Sequence, residues 1–217
     1  SDNRYAMKTN INRFSKTGQL SILGQGNNIN QQGFSFGEAM NFTGSSQRML
    51  SGGALNFNRG GGGRSSAVPI NFGGRAGSTG ITDTWAGGLN ANKKISDKTE
   101  VNGSYFYNYM NTHVETDLER ENFLPSGNFD FLQFSQRNTQ NESHRGNVRI
   151  ETKIDTANSL LVIADASLSN NRSFQNTESS NTRADGFLQN DSEQETLSQG
   201  QSKNINSNLL WRHKFAK

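Results

Sequence analysis

The feature that most constrains this chain is a regular alternation of side chains over residues 144–155. Val148, Ile150 and Ile154 recur at even positions, and the odd positions between them are polar or charged: Arg145, Asn147, Arg149, Glu151 and Lys153. Side chains of a β-strand alternate between two faces with a period of two residues. The segment therefore predicts a long strand with one apolar face and one charged face.

The overall composition limits what such strands can build. Hydrophobic residues make up 30% of the chain and the mean hydropathy is −0.81, so a soluble domain of this length would have a thin core. Plain disorder is disfavoured, because the chain has only 2 Pro, a net charge of +3 and apolar residues ordered in period-two runs. A transmembrane β-barrel fits this composition, since it needs only a short apolar band and tolerates a polar interior.

Seven strands are predicted, joined alternately by short turns and long polar loops. Six of them cover about 4–14, 19–30, 81–93, 99–116, 131–154 and 159–175, and the seventh ends with Ile205, Leu209, Trp211 and Phe215 on one face. The short turns are 15–18, 95–98 and 155–158, and the long loops are about 31–80, 117–130 and 176–192. Outer-membrane barrels have short periplasmic turns and long extracellular loops. The pattern predicts an all-β, antiparallel, up-and-down transmembrane barrel segment.

We predict that one face of these strands contacts lipid and that the other faces the lumen. The side chains predicted to face lipid are Leu20, Ile22, Val101, Tyr105, Val148, Ile150, Leu160, Val162 and Leu209. Those predicted to face the lumen are Arg145, Arg149, Glu151, Lys153 and Asp165. A strand tilted by about 40° crosses the apolar band in about ten residues. That spacing predicts aromatic girdles at the two membrane interfaces, made of Trp85, Tyr107, Tyr109, Trp211 and Phe215.

The sequence offers no signature of catalysis, and we expect neither an enzyme nor a cofactor. There is no cysteine, and His113, His144 and His213 lie on different predicted strands without metal-ligand spacing. The glycine run before Arg64 lacks the Lys-Ser/Thr ending of a phosphate-binding loop and predicts an extracellular loop, leaving open a ligand contact somewhere in 31–80. The sequence pI of 9.3 comes without a basic cluster, so no nucleic-acid partner is expected.

Several stretches resemble outer-membrane β-barrels of the TonB-dependent-receptor-like family of Bacteroidetes-type bacteria. They are RYAMKTNINRF (4–14), GQLSILGQGNNINQQGFSF (18–36), GITDTWAGGLN (80–90), VNGSYFYN (101–108), ENFLPSGNF (121–129) and HRGNVRIETKID (144–155). The resemblance covers nearly the whole chain and implies the early strands of a barrel of about 22 strands. It further implies a plug domain and the remaining strands in the same polypeptide, a TonB-type energy-coupling protein, a surface lipoprotein, and outer-membrane lipid around the wall.

The expected role is thus that of a wall segment, 1–217, of a multi-pass barrel in a Gram-negative outer membrane that takes up a scarce solute. We expect this chain to be an internal piece of a longer polypeptide, because strand-like sequence lies close to both ends. No residue is assigned to the solute, and the charged lumen row either contacts a plug or an anionic solute or pairs with neighbouring strands and water. Two alternatives remain: an outer-membrane structural or assembly component without transport, and a soluble secreted β-rich adhesin.

Overall fold

A computed structural model describes residues 4–30, 80–123 and 127–215. They form a single antiparallel sheet in which each strand pairs with the next along the chain. Within these ranges no helix has the length and apolar character needed to cross a membrane. The strands are β1 (Ala6–Ser15), β2 (Gly18–Asn27), β3 (Ile81–Ser96), β4 (Thr99–Asn122), β5 (Phe129–Lys153), β6 (Asn158–Arg183) and β7 (Leu188–His213).

The prediction of seven sequential antiparallel strands is confirmed. All three predicted short turns are present, and they lie together at one end of the sheet, which we call the turn end. Two of them contain only two residues outside the strands, at 16–17 and 97–98, and the third spans 154–157. In the third turn the Asp155 carboxylate accepts the backbone N–H groups of Ala157 and Asn158 at 2.7 Å each. Aspartate favours such turns because its side chain satisfies backbone donors locally.

The predictions of long loops at 117–130 and 176–192 were wrong. β4 continues to Asn122 and β5 begins at Phe129, while β6 and β7 are separated only by residues 184–187. These segments are polar on both faces, which suggested loops. Backbone hydrogen bonds between neighbouring strands do not depend on side-chain polarity, so a polar ladder in water can remain a strand. Most of the predicted loop 31–80 lies outside the described residues.

The strand registers define two faces across the whole sheet, since directly opposite residues of antiparallel strands point to the same side. Face A contains the row Ile11, Ile22, Leu89, Tyr105, Gly146, Ala166 and Ile205. Face B contains the neighbouring row Asn12, Ser21, Asn90, Ser104, Asn147, Asp165 and Asn206. One side of the sheet is therefore apolar at this level and the other is polar.

Burial is inverted relative to a soluble protein. The most buried side chains of the described residues are polar and lie on face B: Ser21, Asn27 and Thr84 are each 1% exposed. On face A, by contrast, Trp85 and Leu89 are 43% exposed and Leu209 is 70% exposed. In a soluble sheet the apolar face packs on a core. Among the described residues the buried hydrophobic side chains are Leu23, Ala86, Phe106 and Val114, of which Leu23 and Ala86 form a cluster.

Candidate functional site

All nine side chains predicted to face lipid lie on face A. Leu20 is the direct partner of Ala91, Val101 of Ile150, and Val162 of both Ile150 and Leu209. They form a continuous apolar surface, the face A band, next to the turn end. The structure shows that these nine side chains share one exposed face. Contact of this face with lipid stays a prediction.

The predicted girdle aromatics are also on face A, at two levels. Trp85 and Tyr109 are direct partners, and Tyr107 is two residues nearer the turn end. Trp211 lies opposite Leu160, in a row ten residues closer to the turn end than the Trp85 row. On β4 these two rows contain Tyr109 and Thr99, and along this one strand, at about 2.5 Å of height per residue, ten residues climb about 25 Å, the height of an outer-membrane apolar band. Phe215 lies just past β7, its ring centroid 4.6 Å from that of His213.

The Trp85 indole packs across the sheet onto a glycine. Its partner on β2 is Gly26, and a Cβ built there would lie 2.7 Å from the indole ring. The Tyr5 ring, next to β1 and beyond Gly26, is 5.8 Å from the Trp85 ring. Glycine on a strand leaves room for a large cross-strand ring, so Gly26 fixes the position of Trp85.

Asn158 ties the aromatics of β7 to the turn end. The Trp211 indole N–H donates to the Asn158 side-chain oxygen at 3.2 Å, and Nδ1 of His213 lies 2.8 Å from the same atom. The Asn158 amide group in turn donates to Asp155 at 2.8 Å. A tryptophan with its ring on an apolar face and its N–H bonded at the edge is typical of a membrane interface.

The loop-side edge of the face A band crosses the sheet obliquely. The first charged or amide side chains beyond it are Asp83 on β3, Asn111 on β4, Glu142 on β5, Asn170 on β6 and Lys203 on β7, while His144 and Ser207 lie within the band. Between β3 and β7 this edge moves by four residues, or about 13 Å, across four strand spacings of about 19 Å in total. The slope is about 35°, within the range of strand tilts in outer-membrane barrels.

All five side chains predicted to face the lumen lie on face B, near the turn end. Arg149 donates to Glu151 at 2.6 Å, and the Asn147 amide donates to Asp165. Arg149 and Glu151 are thus already paired with each other. These contacts favour the prediction that the row is balanced internally, and they bring no group of catalytic character together.

Sequence reasoning missed a separation of charge farther from the turn end. We call residues 110–122, 129–141, 171–183 and 188–200 the hairpin extensions. Every carboxylate of the extensions lies on face A, and three of their four arginines lie on face B: Arg120, Arg137 and Arg183. The signal was present in the sequence, because carboxylates alternate at 115, 117, 119 and 121 and again at 191, 193 and 195.

The other residues considered in the sequence analysis do not form a site within the described residues. The glycine run and Arg64 fall outside the described residues. His113, His144 and His213 lie on separate strands, and the described ranges contain no group of three or more potential metal ligands. His144 instead accompanies aromatic side chains of face A, with its Nδ1 2.7 Å from the Tyr105 hydroxyl and its ring 5.0 Å from that of Tyr107.

Comparison with models of known protein families and with curated proteins finds no match to this chain.

Proposed function

We propose that this chain is a wall segment of a Gram-negative outer-membrane β-barrel of the TonB-dependent-receptor type, which admits a scarce solute. The observation that carries the proposal is the inverted sheet: exposed face A carries an apolar band next to the turn end, and the buried side chains of the described residues lie on face B, eight of them polar and four hydrophobic. Lipid on face A and water on face B satisfy both surfaces. A soluble fold leaves the face A band without a partner.

Two further features support the same arrangement. The aromatic side chains stand at both edges of the band, where amphipathic rings are enriched in membrane proteins. The oblique edge of the band matches strands that are tilted in a bilayer, because a level membrane boundary then crosses the strand rows at an angle. The open sheet edges at β1 and β7 require further strands, since unpaired backbone groups are not tolerated in lipid.

The solute-uptake part of the proposal rests on the resemblance described above. In that arrangement a plug domain elsewhere in the polypeptide gates the lumen, and an energy-coupling protein and a surface lipoprotein are its partners. Face B of this chain contributes part of the polar lumen surface, and the hairpin extensions rise above the membrane on the extracellular side.

The test is a pair of matched substitutions on β6 in the native polypeptide. Val162 is on face A, between Ile150 and Leu209, and Leu161 is on face B, between Glu151 and Leu210. We expect Val162→Arg to cost about 2–4 kcal/mol of folding free energy in lipid, whereas Leu161→Arg meets water and a nearby carboxylate and costs less than about 1 kcal/mol.

The measurement is the urea midpoint of refolding into lipid vesicles, with outer-membrane yield in cells as a second readout. Equal costs for the two arginines would show that both faces are buried alike, and would contradict the wall proposal. A chain that stays in the aqueous phase without detergent would favour the secreted adhesin.

A further inference from the structure

The hairpin extensions separate charge by face more completely than chance arrangement gives. Every carboxylate in them lies on face A, including Glu115, Asp117, Glu178, Glu193 and Glu195. Face B of the extensions, within the described strands, carries arginines and no carboxylate. The two sides of one thin sheet therefore present fields of opposite sign.

This separation does not stabilise the sheet. Glu178 on β6 is the direct partner of Glu193 on β7, and like charges directly opposite each other destabilise a strand pair. A sheet selected for stability alone would place Arg137 or Arg183 across from such carboxylates, not on the other face. The pattern thus costs folding free energy. Its reason must therefore lie in the surroundings that each face contacts.

Face B of the extensions is built to meet a polar solute. Between Arg137 and Arg120 it carries hydroxyl and amide groups that bond to one another: Gln175 donates to Ser135 at 3.2 Å and to Thr177 at 3.1 Å. Farther from the turn end the Arg120 guanidinium lies 5.2 Å above the Phe131 ring, and Arg183 is the direct partner of Phe129. The surface combines fixed positive charge, hydrogen-bonding groups and two aromatic rings.

We propose that face B of the hairpin extensions forms an anion-attracting approach to the lumen, so that the solute admitted by this barrel is anionic. A surface charged with one sign raises the local concentration of ions of the opposite sign and speeds their capture. The acidic face A, on the outside of the wall, repels the same anions, which confines the attraction to the lumen side. This inference rests on the proposed function, because it takes face B as the lumen surface.

Ser179 and Ser180 provide a matched pair of probe positions on β6. Ser179 is on face B, opposite Gln133 and Ser192, and Ser180 is on face A, opposite Leu132 and Asp191. The chain has no cysteine, so Ser179→Cys and Ser180→Cys introduce single thiols here with little change in shape. Each full-length variant, embedded in outer membranes, is treated with an anionic methanethiosulfonate reagent (sulfonatoethyl) and with a cationic one (trimethylammonioethyl).

The quantity measured is the ratio of anionic to cationic reaction rates at 179, divided by the same ratio at 180. This double ratio cancels the intrinsic reactivity of the reagents. We expect a value on the order of ten or more at low salt, falling toward one at 1 M salt, where the Debye length is about 3 Å. Arg120→Gln should lower the double ratio several-fold, and Lys203→Gln, which removes a positive charge from face A, should not lower it.

A second measurement tests occupancy by an anion. Inorganic pyrophosphate, used as the probe, should slow the anionic reagent at 179 and leave its rate at 180 unchanged. A double ratio near or below one, or a thiol at 179 that neither reagent reaches because protein covers it, would overturn the inference. Alkaline extraction of the protein from the membrane would instead overturn the proposed function, whatever the double ratio, so the two failures are distinguishable.

Discussion

At the scale of single residues, the sheet depends on a few positions where a small side chain or a fixed hydrogen bond places an interface aromatic. Gly26 is such a position, because the Trp85 ring occupies the space above it. Asn158 is another, because its side-chain oxygen accepts the Trp211 N–H. Both positions lie at an edge of the face A band. A displaced aromatic ring there would change the contacts that the edge of the band makes.

Gly26→Ala should destabilise the protein by about 1–3 kcal/mol, since the new Cβ overlaps the Trp85 ring and the ring must move. Gly146→Ala is the matched control: it lies on face A as well, and a Cβ there meets nothing within 4 Å. Its effect should stay within about 0.5 kcal/mol. Urea midpoints and the tryptophan emission spectrum measure both variants, and equal midpoints would contradict the packing assigned to Trp85.

A pH dependence is expected from the 154–157 turn. The Asn158 amide and the backbone N–H groups of Ala157 and Asn158 lower the pKa of Asp155 in the folded protein. A lowered pKa stabilises the fold above the unfolded value of about 3.9, and this contribution disappears as the pH falls through the folded value. Wild type should therefore exceed Asp155→Asn in stability at pH 7, with the difference shrinking below about pH 4. A difference that stays constant in urea unfolding from pH 7 to pH 2 would contradict this.

At the scale of elements, the sheet consists mainly of long hairpins. β4, β5, β6 and β7 have 24 to 26 residues, more than twice the number needed to cross the face A band. Their hairpin extensions therefore stand clear of the band by about 30 Å if the strands keep a tilt near 40°. The extensions supply the extracellular surface that the sequence had assigned to loops.

Engineered disulfides test these extensions directly. Ser179 and Ser192 are direct partners on β6 and β7, so the double variant Ser179→Cys with Ser192→Cys should oxidise readily. Pairing Ser180→Cys with Ser192→Cys places the two thiols on opposite faces, and this control should form at least about tenfold less disulfide. The readout is gel mobility before and after reduction. Similar yields from both pairs would indicate a mobile loop instead of a registered hairpin.

At the scale of the whole molecule, the directions of the two edge strands, β1 and β7, limit how many further strands can close the barrel. β1 and β7 run in the same direction, because they are separated by an even number of antiparallel steps. A closed, fully antiparallel barrel therefore needs an odd number of additional strands between them. β7 is exposed along its whole length in this sheet, which makes it the natural partner of the next strand.

Hydrogen exchange of the native protein in membranes tests that closure. If a further strand pairs with β7, amides throughout Leu188–His213 should be protected, including the alternate ones that point away from β6. β6, which is paired on both sides, serves as the internal standard of full protection. An alternating pattern on β7, with half of the amides exchanging fast, would mean that this edge stays open in the native protein.

The strand number, the short turns and the two faces near the turn end could be predicted from the sequence. Those features are local: the alternation at Val148, Ile150 and Ile154 and the Asp155 turn are each set by neighbouring residues. The nine band residues share face A and the five charged residues share face B, because the face of a strand residue follows from its position alone.

How far the strands continue, and which polar residues share a face, depends on the pairing between strands and could not be predicted from the sequence. Residues 117–122 and 176–183 have no apolar face to reveal a strand, and they are held by pairing with other strands: 117–122 with 129–134, and 176–183 with 129–136 and 188–195. The oblique edge of the band and the opposite charges of the two faces appear only once register joins the strands. Register is a property of strand pairs, which is why no single segment of the sequence could determine it.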